Sequence, residues 1–421
     1  MARARGAAAA EQLQPECQSS VERVGATAEA GCRRGCPARS PAAASRAGPR
    51  RHRRSRGRLV RRPRRLLRER RRVSARIAIC AAQIPFVRGG AEVLYESLRD
   101  ELLRRGHQAE IVSLPFNWSS RLNIVQSALA WRLVDLTTAA GQPIDLVIAT
   151  RFPSYLVRHP RKVVWLIHQF RQIYDLKGTR FSDFGERPED AETERMLRQF
   201  DQRALGEARA RYSISRNTAD RLARFNRLEA EPLYPPPALG GRYRSSEPGD
   251  YLLSVGRLDP MKRFDLLLRA VAAARSPLRC VIAGDGPDRE RLLQLAAELG
   301  IASRVELPGR VSDERLIELY AGALAVFYAP FDEDYGYVTV EAFQSRRPVL
   351  TTSDSGGVLE FVRDGVNGFV CPPGAHREMA ARIDRLAADP ALARRLGAAG
   401  AESVAEIHWD GVVERLLAPL A

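Results

Sequence analysis

Two carboxylates separated by seven residues stand out in Phe331-Asp332-Glu333-Asp334-Tyr335-Gly336-Tyr337-Val338-Thr339-Val340-Glu341-Ala342. Glu333 lies in a Gly-containing loop after an apolar run, and Glu341 lies near the start of the helix expected next. Open α/β sheets bind ligands at the C-terminal edge of their strands, where such a loop emerges. A carboxylate there accepts hydrogen bonds from two neighbouring hydroxyls, of a hexose or of a nucleotide ribose. The plainer reading is two solvated acids beside a helix N-terminus, which favours negative charge in any case. Upstream, Ser254-Val255-Gly256-Arg257-Leu258-Asp259-Pro260-Met261-Lys262-Arg263-Phe264 marks another strand-to-helix turn. Gly256 lets the backbone turn and approach a ligand. Arg257 offers a bidentate fork and Lys262 a point charge, a pair suited to a diphosphate, and the helix after Lys262 attracts anions on its own account. An exposed basic turn is the alternative.

Other glycine turns follow the same logic. Gly284-Asp285-Gly286-Pro287 leaves one apolar run and Gly309-Arg310 the next; as bare motifs both are good turns. Ser355-Gly356-Gly357-Val358-Leu359-Glu360 is predicted to open a helix, with Gly356 and Gly357 permitting close backbone approach to phosphate or sugar. Asn367-Gly368 reads as a structural tight turn. In the first half, Phe86-Val87-Arg88-Gly89-Gly90-Ala91-Glu92 joins an apolar run to a helix. N–H groups at Gly89 and Gly90 are placed to meet a donor's phosphates or an acceptor from a facing domain. The segment lacks G-x-G-x-x-G spacing, which argues against a dinucleotide fold. His168 ends the apolar run Trp165-Leu166-Ile167, at an edge that should face the cleft; a lone His is otherwise a structural residue.

These residues need elements to hold them. From Arg76, short apolar runs (Ile77–Cys80, Glu110–Leu114, 144–149, 163–167) alternate with helical segments such as Glu92–Arg105, stopped by Gly106. That alternation predicts a parallel sheet with helical crossovers. Glu231-Pro232-Leu233-Tyr234-Pro235-Pro236-Pro237 interrupts it with a stiff, extended connector. The alternation then restarts with strands at 251–255, 278–283, 305–307, 323–327 and 348–351, and helices at 264–274 and 288–299. The fold class is therefore α/β, two doubly wound domains.

With these motifs in place, residues 76–421, and 251–371 most strongly, resemble the retaining, GT-B-fold glycosyltransferases of family 4. The match rests on the E-x7-E element and on a G-R-x-x-x-x-K-G phosphate segment in which Arg263 replaces the final Gly. The resemblance implies two Rossmann-like domains facing a central cleft: an acceptor-side domain at 76–233 and a nucleotide-sugar domain at 240–404. A terminal helix at about 405–421 crosses back to the first domain. It implies transfer of a hexose from a nucleoside diphosphate sugar to a hydroxyl acceptor with retention. Arg257 and Lys262 then face the diphosphate, Glu341 the ribose and Glu333 the donor sugar. Gly256, Gly284 and Arg310 line the nucleotide pocket, Gly89, Gly90, Gly356 and Gly357 approach the donor, and His168 hydrogen-bonds the transferred sugar. No cofactor and no metal are expected. The implied acceptor is a carbohydrate or a lipid-linked chain in polysaccharide or glycolipid synthesis, with peripheral contact at the inner membrane face.

The 421 residues carry a net charge of +17, which suggests nucleic acid until its distribution is seen. Residues 1–75 hold 21 Lys and Arg against 5 Asp and Glu, leaving a net of +1 over the remainder. No nucleic-acid partner is expected for the folded part. The leader, rich in Ala and Arg, cannot bury enough apolar surface to order itself. It reads as an arm for anionic lipid or nucleic acid, or as sequence outside the mature protein, translation starting near Val73. A secretory signal is excluded because no apolar core follows the arginines. Cys32-x3-Cys36 lacks a second pair of zinc ligands, and the scattered cysteines suggest a reducing, cytoplasmic compartment.

Three rival readings remain, one of them a non-enzymatic nucleic-acid-binding protein acting through the basic leader. Asp332-Glu333-Asp334 matches a D-x-D metal site of the single-domain GT-A plan, which the two alternating domains and the Arg/Lys pair oppose. A GT-B-fold nucleotide-sugar epimerase would bind the same donor without an acceptor.

Overall fold

The computed structural model describes residues 74–420. The expectations placed on residues 1–73, with Cys17, Cys32 and Cys36, lie outside the described residues. In chain order the first half forms β1 (Arg76–Gln83), α1 (Gly90–Arg104), β2 (Gln108–Pro115), α2 (Arg121–Leu133), β3 (Thr138–Ala139), β4 (Gln142–Pro143), β5 (Leu146–Ala149), β6 (Lys162–Leu166), α3 (Pro188–Gly206), β7 (Ala210–Ser213), α4 (Arg216–Asn226) and β8 (Glu231–Pro232). β3 and β4 make a small antiparallel hairpin. The rest pair in parallel in the order β2-β1-β5-β6-β7-β8. β5 and β6 are buried along their whole length, as parallel strands covered on both faces must be. Ser120 and Ser215 cap α2 and α4 by accepting the N–H of Asn123 and Thr218, each worth about 1 kcal/mol.

The second half forms β9 (Tyr251–Val255), α5 (Phe264–Ala273), β10 (Arg279–Ala283), α6 (Arg289–Glu298), β11 (Val305–Gly309), α7 (Asp313–Gly322), β12 (Ala325–Phe327), α8 (Tyr337–Gln344), β13 (Val349–Thr352), β14 (Gly368–Cys371), α9 (His376–Ala388), α10 (Pro390–Ser403) and α11 (Trp409–Leu417). Its parallel sheet runs β11-β10-β9-β12-β13-β14. Strand order reverses between β9 and β12, so a crevice opens at their C-terminal ends. The Gly256 turn leaves β9 there and the Glu333 loop leaves β12. In the first sheet the reversal falls between β1 and β5, and the Gly89-Gly90 turn leaves β1. α11 packs on the first sheet: the Trp165 and Trp409 rings meet edge-on at 6.2 Å, and the Tyr212 hydroxyl donates to the Arg415 carbonyl.

Three local expectations are corrected. Residues 355–360 make a single 3-10 turn over Gly357–Glu360, not the opening of a longer helix, because the turn is pressed flat onto 333–335. Gly368 is no turn corner; it starts β14, where a Cβ would lie 2.1 Å from the Val349 carbonyl oxygen. Asn367 closes that turn instead, accepting the Arg363 N–H and donating to the Phe361 carbonyl. Glu231–Pro232, expected in the connector, adds an edge strand to the first sheet, a position that tolerates proline.

Candidate functional site

Gly256 ends β9 and donates its N–H to the Ala283 carbonyl, 3.0 Å away. A 3-10 turn over Pro260–Lys262 follows, capped by the Asp259 side chain accepting the Met261 N–H at 3.0 Å. The turn delivers Lys262 to the crevice, where its Nζ lies 2.5 Å from Glu333 Oε2 and 3.2 Å from the Tyr328 hydroxyl. Burial works against the ammonium, but the Glu333 carboxylate and Tyr328 more than offset it and raise its pKa. Arg257 is exposed, and among the described residues its guanidinium has no hydrogen-bond or ion-pair partner. The turns after β9 and β12 thus bring Lys262 and Glu333 together, and Arg257 stands exposed five residues earlier on the same turn.

Glu341 sits in the second turn of α8, half-buried, and accepts the Tyr320 hydroxyl at 2.7 Å. Burial raises its pKa, against the hydrogen bonds from Tyr320 and Tyr243. Those tyrosines hold the carboxylate in place; neither was singled out from sequence. Arg310 is exposed at the end of β11, without a side-chain partner among the described residues. Gly284 has a steric role: a Cβ there would fall 1.9 Å from the Gly256 carbonyl oxygen. Its close approach is to the neighbouring turn. Likewise a Cβ on Gly356 would meet Glu333 O at 2.5 Å, and one on Gly357 would meet Asp334 O at 2.5 Å. These two glycines let the Glu333 loop lie flat.

The first domain supplies the opposite wall. Gly89 caps α1 and gives its N–H to Glu92 Oε2 at 2.8 Å, while the Gly90 Cα faces the Tyr337 ring that begins α8. His168 follows β6. Its Nδ1 lies 2.6 Å from the Gln169 carbonyl oxygen and so donates, leaving Nε2 as an acceptor in the neutral ring. Burial, with Arg151 and Arg171 nearby, lowers its pKa against the pull of Asp334.

Sequence reasoning missed the residues that join the walls. Asp334 Oδ1 accepts from Arg221 Nη1 at 2.5 Å and lies 3.4 Å from Arg171 Nη1. Asp332 accepts from Arg171 Nη2 at 3.1 Å and from Asn217 Nδ2 at 3.0 Å. Glu360 accepts the N–H groups of Arg216 and Asn217 at the start of α4, at 2.9 and 2.7 Å. Burial pushes the Asp334 carboxyl up, but Arg171 and Arg221 outweigh it and hold it well below the usual carboxylate range. The two aspartates of the D-x-D triplet therefore bind the first domain's guanidinium groups on either side of Glu333. No local pattern announces Arg171 or Arg221.

Residues 241–403 match the family model described as Glycosyl transferases group 1. The D-inositol 3-phosphate glycosyltransferase of Nocardia farcinica is 35% identical over 181 residues, covering 40% of each chain. The enzyme of the same description from Streptomyces griseus subsp. griseus is 35% identical over 184 residues, covering 40% of this chain and 39% of that one. The chain thus spans about two-fifths of the length of the curated relatives it matches. Among solved structures, sucrose-phosphate synthase from Thermosynechococcus elongatus aligns with a TM-score of 0.63 at 19% identity, covering 82% of this chain and 100% of that one. Anabaena Alr3699/HepE in complex with UDP and glucose aligns with a TM-score of 0.61 at 19% identity, covering 82% and 99%. At these identities the likeness shows the fold. It is GT-B, two Rossmann-like α/β domains, as the resemblance implied.

Proposed function

We propose that this protein is a retaining glycosyltransferase moving a hexose from a nucleoside diphosphate sugar to a hydroxyl acceptor. The observation that carries the reading is the meeting of Lys262 and Glu333 at the β9/β12 switch point, on the turn that also carries the exposed Arg257. Lys262 and Arg257 stabilise the diphosphate as negative charge develops on it. Glu333 accepts from the donor sugar's hydroxyls, Glu341 from the ribose, and His168 Nε2 from a sugar hydroxyl across the cleft. The acceptor oxygen bonds the anomeric carbon on the face from which the diphosphate departs, and a departing phosphate oxygen takes the acceptor's proton. No step is routed through a metal: two cations face the diphosphate, and Asp332 and Asp334 are already paired with arginines.

The donor to try first is a UDP-hexose, since the Anabaena relative in fold holds UDP and glucose. The relatives' name makes D-inositol 3-phosphate the first acceptor to try, with lipid-linked glycans next for a role in cell-surface polysaccharide or glycolipid synthesis. Among the described residues no helix is long and apolar enough to cross a membrane. Leu122, Leu129 and Leu133 line one exposed face of α2, a surface suited to peripheral lipid contact at the inner membrane face. Incubating the protein with UDP-, GDP- and ADP-hexoses and these acceptors tests the proposal. Acceptor-dependent release of nucleotide with an unchanged anomeric configuration is expected. Donor consumption without any acceptor points instead to an epimerase, and loss of liposome binding failing to follow Leu133→Glu removes the membrane contact.

A further inference from the structure

Arg263 stands where the phosphate segment's pattern places glycine, and its backbone shows why: φ is +53° and ψ +42°, the left-handed region. A side chain there is strained in a way that glycine is not. The Arg263 side chain is nearly buried, at 12% exposure, and uses its whole fork. Nε donates to the Ala329 carbonyl at 2.6 Å, and Nη2 to the Pro330 carbonyl at 2.7 Å and Thr352 Oγ1 at 2.8 Å. Nη1 and Nη2 each reach an oxygen of Asp354 at 2.9 Å. We infer that Arg263 is a positioning residue, which sets the Lys262–Glu333 pair by tying the loop after β12 to the loop after β13.

The connectivity supports this. Ala329 and Pro330 follow the end of β12 and open the loop that reaches Glu333, and their carbonyls accept from the Arg263 guanidinium. The following N–H groups are held in sequence: Phe331 donates to the Met261 carbonyl at 2.8 Å, Asp332 to that of Asp354 at 2.9 Å and Glu333 to that of Ser355 at 3.3 Å. Arg263 therefore anchors both sides of the strip that carries Glu333, while its chain neighbour Lys262 meets the Glu333 carboxylate. A lysine at 263 has one ammonium and cannot span two carbonyls and a carboxylate in one plane. That this pair serves catalysis rests on the reading above; that Arg263 holds it does not.

The test is a double-mutant cycle in the full chain, with Arg263→Gly and Glu333→Gln singly and combined, read by unfolding midpoint and by donor turnover. Arg263→Gly relieves the backbone as well as cutting the tie, so its own midpoint change is the lost tie less the strain relieved. Glu333→Gln should lower the midpoint in the parent and leave it unchanged in the Arg263→Gly chain, where the pair is already loose. Turnover should fall about 10- to 100-fold with Arg263→Gly, and adding it to Glu333→Gln should cost less than about twofold more. Arg263→Lys should not restore turnover. Asp354→Asn provides the same cycle if Arg263→Gly does not fold. Midpoint losses that add in full overturn the positioning role. If midpoints couple but Glu333→Gln turns over donor normally, Arg263 holds the pair and the catalytic reading fails instead.

Discussion

Lys262 Nζ and Glu333 Oε2 are 2.5 Å apart, joining the turn after β9 to the turn after β12 across the point where strand order reverses. They are 71 positions apart in the chain, so the contact is made by the sheet topology. It places a cation and an acceptor at one spot, the minimum needed to handle a sugar and its departing phosphate together.

Lys262→Ala should lower kcat by about 10²- to 10³-fold, the usual effect of removing one preorganised partner of a developing anion. Breaking the pair should also lower the unfolding midpoint, as Glu333→Gln does, but by much less free energy than the loss of turnover represents. Steady-state kinetics beside a thermal melt checks this; an equal loss in both would make the lysine structural.

Glu341→Ala removes an acceptor that Tyr320 and Tyr243 hold in place. Hydrogen bonds to a charged group are worth about 1.5–3 kcal/mol, so nucleotide affinity should weaken about 10- to 150-fold. Calorimetric titration with the product nucleotide reads it directly. Unaltered affinity would remove Glu341 from the ribose.

Asp334 makes stability depend on pH. Its folded pKa lies below the unfolded value of about 3.9, so its contribution is complete above about pH 4 and is lost as pH falls through the folded value. Asp334→Asn takes from Arg221 its nearest carboxylate, leaving Asp332 at 3.7 Å and Asp175 at 3.9 Å, and should cost about 3 kcal/mol near neutrality. That gap from the parent chain should narrow steadily below about pH 4 in urea melts, since the parent loses the same charge there. A gap independent of pH would mean that the aspartate acts through packing.

Gly284→Ala should destabilise severely, because the new methyl would overlap the Gly256 carbonyl at 1.9 Å as well as strain a φ of +143°. Gly300→Ala, with a φ of +71° and open space around it, isolates the backbone part and should cost only about 1–2 kcal/mol. Comparable midpoints for the two would show that the β9 and β10 turns are looser than this packing requires.

What the sequence disclosed is what parallel sheets make local. Apolar runs ended by Gly-containing turns announced β1, β9, β10 and the loop after β12, and Arg257, Lys262, Glu333 and Glu341 lie within a few residues of those turns. β7 escaped because Ala210–Ser213 is short and half polar, with no alternation to read. Arg171, Arg221, Asn217 and Glu360 escaped for a different reason. Their partners are distant in the chain, and an arginine that closes a cleft looks in sequence like any solvated one. Gly284 was seen as a ligand approach because close packing by protein and by phosphate demand the same missing Cβ. Arg263 looked like a defect in a phosphate motif; only the carbonyls of Ala329 and Pro330 explain it.

The most direct test of the central claim is the unfolding midpoint of the full chain titrated with UDP-, GDP- and ADP-hexoses, with and without EDTA, beside Lys262→Ala. One nucleotide class should raise the midpoint, by about 2.7 kcal/mol of stabilisation at a hundredfold excess over its dissociation constant. EDTA should leave that shift intact, and Lys262→Ala should shrink it. No shift with any donor at millimolar concentration, or an equal shift in the variant, would contradict a nucleotide-sugar site at the β9/β12 edge.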